Sequence, residues 1–311
     1  MQRSGSDSTQ LHIALTGAGG LIGSALVQRL TELGHRVTPL VRRAAGPGEI
    51  RWDPEGGALD PADLEGVDAA VHLAGENVGA RWTAARKARI RSSRVRGTEL
   101  LSRALARLRR SPAVLVSASA IGIYGDRGDE VLSETSALGN PEREFLASVG
   151  QAWEAAAEPA RGAGIRVVHP RFGVVLSPEG GALKKMLWPF RLGAGGRLGS
   201  GRQWMSWIAL DDTVSAVVHL LTSEALSGPV NVTAPAPLQN RDFTRILGQV
   251  LSRPTPFPVP PAALRLALGE MGDAALLASA RVVPARLTAS GFRFRYPDLD
   301  SALRHVLGKE T

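Results

Sequence analysis

Two rhythms of apolar and polar residues share the first half of this chain. The stretches 11–16, 37–41, 67–73, 113–117 and 165–168 are short, continuous apolar runs, the pattern of strands buried on both faces of a parallel sheet. Between the first two, Ile22, Leu26, Leu30 and Leu33 recur at helical spacing and Gly34 offers a stop. Further helical patterns fall near 84–109 and 144–161. Strands alternating with helices predict an α/β chain with a Rossmann-type doubly wound parallel sheet. After about residue 176 the texture changes. Glycine and proline become dense, and Pro254, Pro256, Pro258, Pro260 and Pro261 form a stiff connector before a last helical stretch near 262–279. The organisation expected is a disordered polar tail over 1–10, a Rossmann domain over 11–175 with a return segment near 207–233, and a smaller C-terminal substrate-side domain over 176–311.

Between the first strand and the first helix stands Thr16-Gly17-Ala18-Gly19-Gly20-Leu21-Ile22-Gly23. Glycines there let the backbone turn sharply and approach a pyrophosphate, while the helix N-terminus offers unpaired N–H groups and a positive dipole end. Strand before and helix after make Gly17, Gly20, Leu21, Ile22 and Gly23 a dinucleotide cradle; a tight turn without ligand is the plainer alternative. An acidic residue ending the second strand would select NAD. Here that strand ends Val41-Arg42-Arg43, and two guanidiniums suit the 2′-phosphate of NADP(H), unless they only form an exposed basic turn.

Charge adds one refinement. The chain has 37 basic and 29 acidic residues, a net +8, which suggests a polyanionic partner. Only four of the 37 are lysine, a bias of the kind that genomic base composition often produces, so a nucleic-acid partner is not expected. Eleven basic residues and one acid, Glu99, fall in 81–110. On a helical wheel Ile90, Gly97, Leu101, Ala104, Leu105 and Leu108 share one stripe, and most of the arginines face away from it as a solvated face. Arg94 projects about 40° from Ile90, on the buried side. A guanidinium there needs a partner: a ligand's phosphate or an internal ion pair.

Composition also excludes. A chain of 311 residues buries roughly 75% of its extended surface and needs no staples. Without cysteine there is no thiol nucleophile, disulfide or thiolate metal site. No apolar run reaches the ~18–20 residues of a membrane span, and 1–10 has no apolar core of a signal peptide, so a cytoplasmic protein without membrane partners is expected. The six histidines show no metal spacing, and neither a Gly-x-Ser-x-Gly elbow nor a Gly-Lys-Ser/Thr phosphate loop occurs. Asp212 reads as the cap of a helix beginning near Thr213.

TGAGGLIG at 16–23, HLAGENVG at 72–79, RWTAARKARIRSSRVRGT at 81–98 and SASAIGIYG at 117–125 together resemble an atypical extended short-chain dehydrogenase/reductase. PRFGVVLSPEGGALKKML at 170–187 and LGSGRQWMSWIALDD at 198–212 extend the likeness to the subgroup called epimerase-family proteins. LGEMGDAALLASARVVP at 268–284 resembles that subgroup's C-terminal domain, whose role is unassigned. The resemblance implies NADP(H) as cofactor and a nucleotide-sugar-like cleft. It implies that Leu73, Ala74, Gly75, Arg94 and Val175 line the cofactor and that Ser119 takes the catalytic serine position.

The chain departs from the wider superfamily where the chemistry lies. A tyrosine followed four residues later by lysine serves there as acid/base, the lysine lowering the phenol's pKa. Tyr124 is followed by Gly128 and Tyr296 by Asp300, while the expected window holds Phe145 and Leu146 with Val149 or Gly150 at the lysine position. Tyr124 is the best substitute by position, against a packing or substrate-contact role. Glu154 is a second candidate, against a surface carboxylate, and His169 reads as structural. Arg202, Gln203 and Trp204, with Trp207, form a polar-aromatic cluster suited to a sugar, nucleotide or acidic ligand, or to packing alone. Two functions follow: an NADP(H)-dependent oxidoreductase or epimerase on an unidentified small molecule, first of all a nucleotide-linked one, or an NADP(H)-sensing regulatory or scaffold protein. A monomer is expected over a homodimer, because pairing the basic helices would set like charges together.

Overall fold

The computed structural model describes residues 10–309; residues 1–9, nearly all of the expected tail, and residues 310 and 311 lie outside the described residues. The chain begins β1 (His12–Thr16), α1 (Leu21–Glu32), β2 (Arg36–Val41) and β3 (Ile50–Arg51). A 3₁₀ turn at Pro61–Leu64 leads to β4 (Ala69–His72), α2 (Ala84–Leu105) and β5 (Val114–Ser117). Then come β6 (Ser119–Ala120), a 3₁₀ turn at Ile121–Tyr124, β7 (Val131–Leu132), α3 (Phe145–Ala155), α4 (Glu158–Gly162), β8 (Arg166–Phe172) and β9 (Val174–Leu176). The second half holds α5 (Gly181–Arg191), β10 (Trp204–Met205), β11 (Trp207–Ala209), α6 (Leu210–Thr222), β12 (Gly228–Val232), β13 (Leu238–Gln239) and α7 (Asn240–Leu251). It closes with α8 (Pro261–Leu268), a π-helical turn at Gly272–Leu277, β14 (Arg281–Val282), α9 (Ala285–Ala289) and α10 (Leu299–Val306).

The main sheet is parallel, in the order β3-β2-β1-β4-β5-β8-β12, with β6 beside the end of β8. This is the doubly wound fold that the alternation of strands and helices predicts. Successive strand residues feed opposite cores. Ile13 and Leu15 pack with Leu26, Leu30, Val217 and Leu220 of α1 and α6, whereas Ala14 packs with Leu101 and Leu105 of α2 on the other face. Strand order reverses between β1 and β4, so a crevice opens above their C-terminal ends, where ligands of this architecture bind. A third core joins α5, α7, α10 and β11 around Phe243 and Trp207.

Three boundaries differ from the sequence expectation. The helical stretch near 144–161 is two helices, because Pro159 in the first turn of α4 lacks the N–H that an unbroken helix would use. The stretch near 262–279 is α8, ended by Gly269 at φ +61°, and then the π turn. Asp212 does not cap a helix at Thr213. Helix α6 already begins at Leu210, and the buried Asp212 carboxylate accepts the backbone amides of Arg295 and Tyr296 at 2.8 and 2.9 Å, tying down the C-terminal segment.

Candidate functional site

The crevice is built around the loop from Thr16 to Gly23. Gly17 adopts φ +76°, and a Cβ on it would sit 2.9 Å from the Ala74 amide, so the loop lies directly against the chain leaving β4. A Cβ on Gly23 would collide with the Gly17 carbonyl, which fits the first turn of α1 tightly beneath the loop. Gly20 is the N-cap of α1 and, among the described residues, no side chain caps that helix. Its first amides therefore keep the anion-binding capacity of an open helix end. The exposed Gly19 has only open space at its Cβ position. Leu21 and Ile22 are half-buried, with Leu21 against the turn at Gly180 and Gly181 that starts α5.

Thr16 fixes this arrangement. Its hydroxyl accepts the amides of Leu73 and Ala74 at 3.2 and 3.3 Å and lies 2.7 Å from Nδ1 of His72. With its lone pairs taken, the hydroxyl donates to that nitrogen. Full burial, with the Arg94 charge adding to it, pushes His72 down to about 4, so the ring is neutral at pH 7.

Arg94 lies on the inward side, as the wheel predicts. It closes over Gly75, where a Cβ would meet its guanidinium carbon at 3.2 Å. It donates to the carbonyls of Glu76 (3.0 Å) and Ile90 (3.1 Å) and stacks 4.9 Å from the Trp153 ring centre. Its partners inside the chain are thus carbonyls and an aromatic face instead of the internal ion pair weighed from sequence. Burial pushes it down to about 10, with Glu76 acting the other way, and it stays charged at neutral pH. Arg42 and Arg43 are exposed at the end of β2, and Arg43 grips Glu49 with both terminal nitrogens at 2.7 and 2.6 Å. Val175 is half-buried in β9, paired with Ile208.

Ser119 and Tyr124 belong to one buried polar chain. The Ser119 hydroxyl donates to Glu154 at 2.7 Å. Arg171 donates to both oxygens of Glu154, at 2.7 and 2.8 Å, and to the Tyr124 hydroxyl at 2.9 Å. Tyr124 in turn donates to the Asn231 side-chain oxygen at 2.7 Å, and the backbone N–H of Asn231 donates to Glu134 at 3.0 Å. Burial pushes the phenol up, opposed by Arg171 and Asn231. Burial would also raise the Glu154 carboxyl, but the hydrogen bonds and charge of Arg171 outweigh it and hold the group below its usual range. Tyr124 and Ser119 have almost no exposed surface, and neither directs its proton into the crevice. His169, also buried, is held neutral by burial.

The positions expected for the tyrosine–lysine pair carry packing. Phe145 lies edge-on to Trp82 with ring centres 5.0 Å apart, and Val149 is buried among Trp82, Ile90 and Met271. A Cβ on Gly150 would lie 2.8 Å from that of Ile123. Arg202 and Gln203 instead line a cavity of about 510 Å³ with Asp129, Arg265 and Ser279, apart from the glycine loop. Trp204 turns its indole N–H to Asp129 at 2.7 Å, and its ring lies 4.2 Å from the Arg281 guanidinium. Sequence reasoning missed Arg171, Asn231 and Trp153. No local signal marked them: Arg171 follows the apolar run 165–168 in β8, a strand that also carries Arg166.

Comparison with known proteins agrees with this architecture. Residues 13–233 match the model of the NAD dependent epimerase/dehydratase family, and 259–306 match a domain of unknown function. The chain is 45% identical over 296 residues to an epimerase family protein of Mycobacterium bovis, covering 94% of this chain and 97% of that one. The crystal structure of the human epimerase family protein SDR39U1 (isoform 2), solved with NADPH, superposes with a TM-score of 0.89 at 34% identity, covering 96% of this chain and 100% of the human one. A nucleoside-diphosphate sugar epimerase of Corynebacterium glutamicum matches at 38% identity and TM-score 0.81, over 97% of this chain and 59% of its own. This chain belongs to the NAD-dependent epimerase/dehydratase family. Among its described residues no helix is long and apolar enough to cross a membrane.

Proposed function

We propose that the chain binds NADP(H) along the β1–α1 loop and acts as an oxidoreductase or epimerase on a small molecule, a nucleotide-linked one being the first candidate. The observation that carries this reading is the cradle: a helix end left open, under glycines whose Cβ positions are filled by backbone or face open space. Leu73, Ala74 and Gly75 form its far wall. Arg42 and Arg43 supply the charge for a 2′-phosphate, and Arg43 already holds a carboxylate in the fork geometry such a group would use. The human relative solved with NADPH supports the choice of cofactor. When bound, NADP(H) supplies the hydride.

The chain's own residues then bind, orient and exclude water. Ser119 is the hydroxyl that would turn to orient a substrate oxygen after it releases Glu154, since Tyr124 is locked between Arg171 and Asn231. That locking favours a second reading, an NADP(H)-sensing regulatory or scaffold protein. Two measurements decide. Replacing Arg42 and Arg43 by alanine should weaken NADPH about tenfold or more and NADH little, a phosphate contact being worth a charge-assisted pair; equal losses contradict the NADP(H) assignment. Purified protein should then be offered NADPH with nucleotide sugars, carbonyls and quinones. Turnover that drops about tenfold or more in Ser119→Ala supports the enzyme, and tight binding without turnover supports the sensor.

A further inference from the structure

We propose that the C-terminal segment 261–277 holds the stretch 76–82 against the dinucleotide cradle, so that cofactor binding and C-terminal docking form one coupled event. This gives a task to the region matched only by a domain of unknown function, and it rests on the NADP(H) reading above.

The stretch 76–82 joins β4 to α2 and has no helix or strand of its own to order it. It leaves the cradle directly, because Gly75 lies under Arg94 while Leu73 and Ala74 back onto Gly17. From the near side, Ser93 accepts the Glu76 amide at 3.0 Å, Arg86 donates to the Asn77 carbonyl at 3.2 Å, and Lys185 of α5 donates to the Gly79 carbonyl. Helix α5 itself starts on Leu21 of the glycine loop. The stretch therefore closes a ring from the loop, through α5, and back to β4.

The far side of the ring is supplied by the C-terminal region. Arg81 donates to the Leu266 carbonyl at 2.7 Å, at the end of α8. One turn into α2, Lys87 reaches both oxygens of Glu270 at 2.8 and 2.9 Å. Between these two links Trp82, its indole donating to the Val78 carbonyl at 2.9 Å, is buried with Ile90, Val149 and Met271, and Leu268 and Leu276 pack on the same cluster. Phe145 and Val149, at the positions expected for a tyrosine and a lysine, are covered by this same apolar patch. Ordering seven irregular residues costs backbone and side-chain entropy. A segment that has already met that cost leaves the dinucleotide less to do, which is positive coupling and must be reciprocal.

The test is amide hydrogen exchange together with NADPH titration on the full chain. In the unaltered protein, saturating NADPH should slow exchange in 261–277 by about fivefold or more, although that segment contributes nothing to the glycine loop. The double variant Arg81→Gln/Lys87→Met removes two exposed links and leaves the core intact. It should raise exchange in 76–82 and weaken NADPH about fivefold. Met271→Ala, which loosens the apolar patch alone, should act in the same direction. NADPH that binds the unaltered chain without protecting 261–277, or binds the double variant equally tightly, overturns the coupling and leaves the cofactor reading standing. No NADPH binding to the unaltered chain overturns both.

Discussion

Among the described residues Glu154 and Arg171 form the least exposed ion pair, with 14% and 4% of their side chains exposed, so breaking it costs more than breaking a pair at the surface. Removing one partner strands the other. Glu154→Ala leaves a buried guanidinium and deprives Ser119 of its acceptor, and it should lower stability by about 3–5 kcal/mol in urea unfolding. Glu154→Gln keeps an acceptor for Ser119 and should cost clearly less. The pH dependence has a definite sign. A carboxyl held below its unfolded value contributes stability that is present above the unfolded pKa and is lost as pH falls through the folded one, so the gap between wild type and Glu154→Gln should narrow in acid. An unchanged gap would show that the pair does not act through its charge. Sequence alone marked Glu154 only as a candidate beside a surface reading, and it gave no notice of Arg171. The wheel found the inward side of Arg94 because 100° per residue is a local property. Apart from the Ile90 carbonyl one turn back, the Arg94 partners lie on a loop and on α3, and Arg171 lies on a strand, so no local pattern contains them.

At the scale of elements, the spacing between α3 and the turn Ile121–Tyr124 explains why this chain has no lysine at the expected place. A Cβ at Gly150 would lie 2.8 Å from the Ile123 Cβ and 3.3 Å from its Cα, neither of which can swing aside. Gly150→Ala gains up to about 1 kcal/mol of helix propensity. It should nonetheless destabilise the chain by about 1–3 kcal/mol through overpacking. A thermal melt at or above the wild-type midpoint would show that α3 can withdraw, and that the glycine does not set the spacing. Strands and long helices were legible because continuous apolar runs and 3.6-residue stripes report burial directly. The short pieces were not. Strands β6, β7, β10, β13 and β14 are two residues each, too few for any period, and they exist only through partners far along the chain.

Across the whole molecule, three histidines sit in places that favour their neutral form: His72 at the centre of the sheet, His169 in β8 and His219 in α6. Burial is the first cause in each case. The sequence showed six scattered histidines without metal spacing, and which of them are buried depends on how sheet and helices close over them, a property of the assembled fold. The unfolded chain takes up protons on these rings near pH 6.5, whereas the folded chain resists until lower pH. Stability from this source is therefore complete above about pH 6.5 and is lost as pH falls below it. For His72, held at about 4, the window runs down to that value, and it is worth on the order of 3 kcal/mol. His169 and His219 add with the same sign. Urea unfolding should thus show a clear loss of stability between about pH 7 and about pH 5, before most carboxylates titrate. His72→Asn, which keeps a polar atom near Thr16 without a titrating ring, should start less stable at neutral pH and lose much less on acidification. A wild-type chain equally stable at both pH values, or a variant with an undiminished loss, would mean that the central histidine is protonated in the folded state, with Nδ1 taking the proton and the Thr16 hydroxyl turning to accept it.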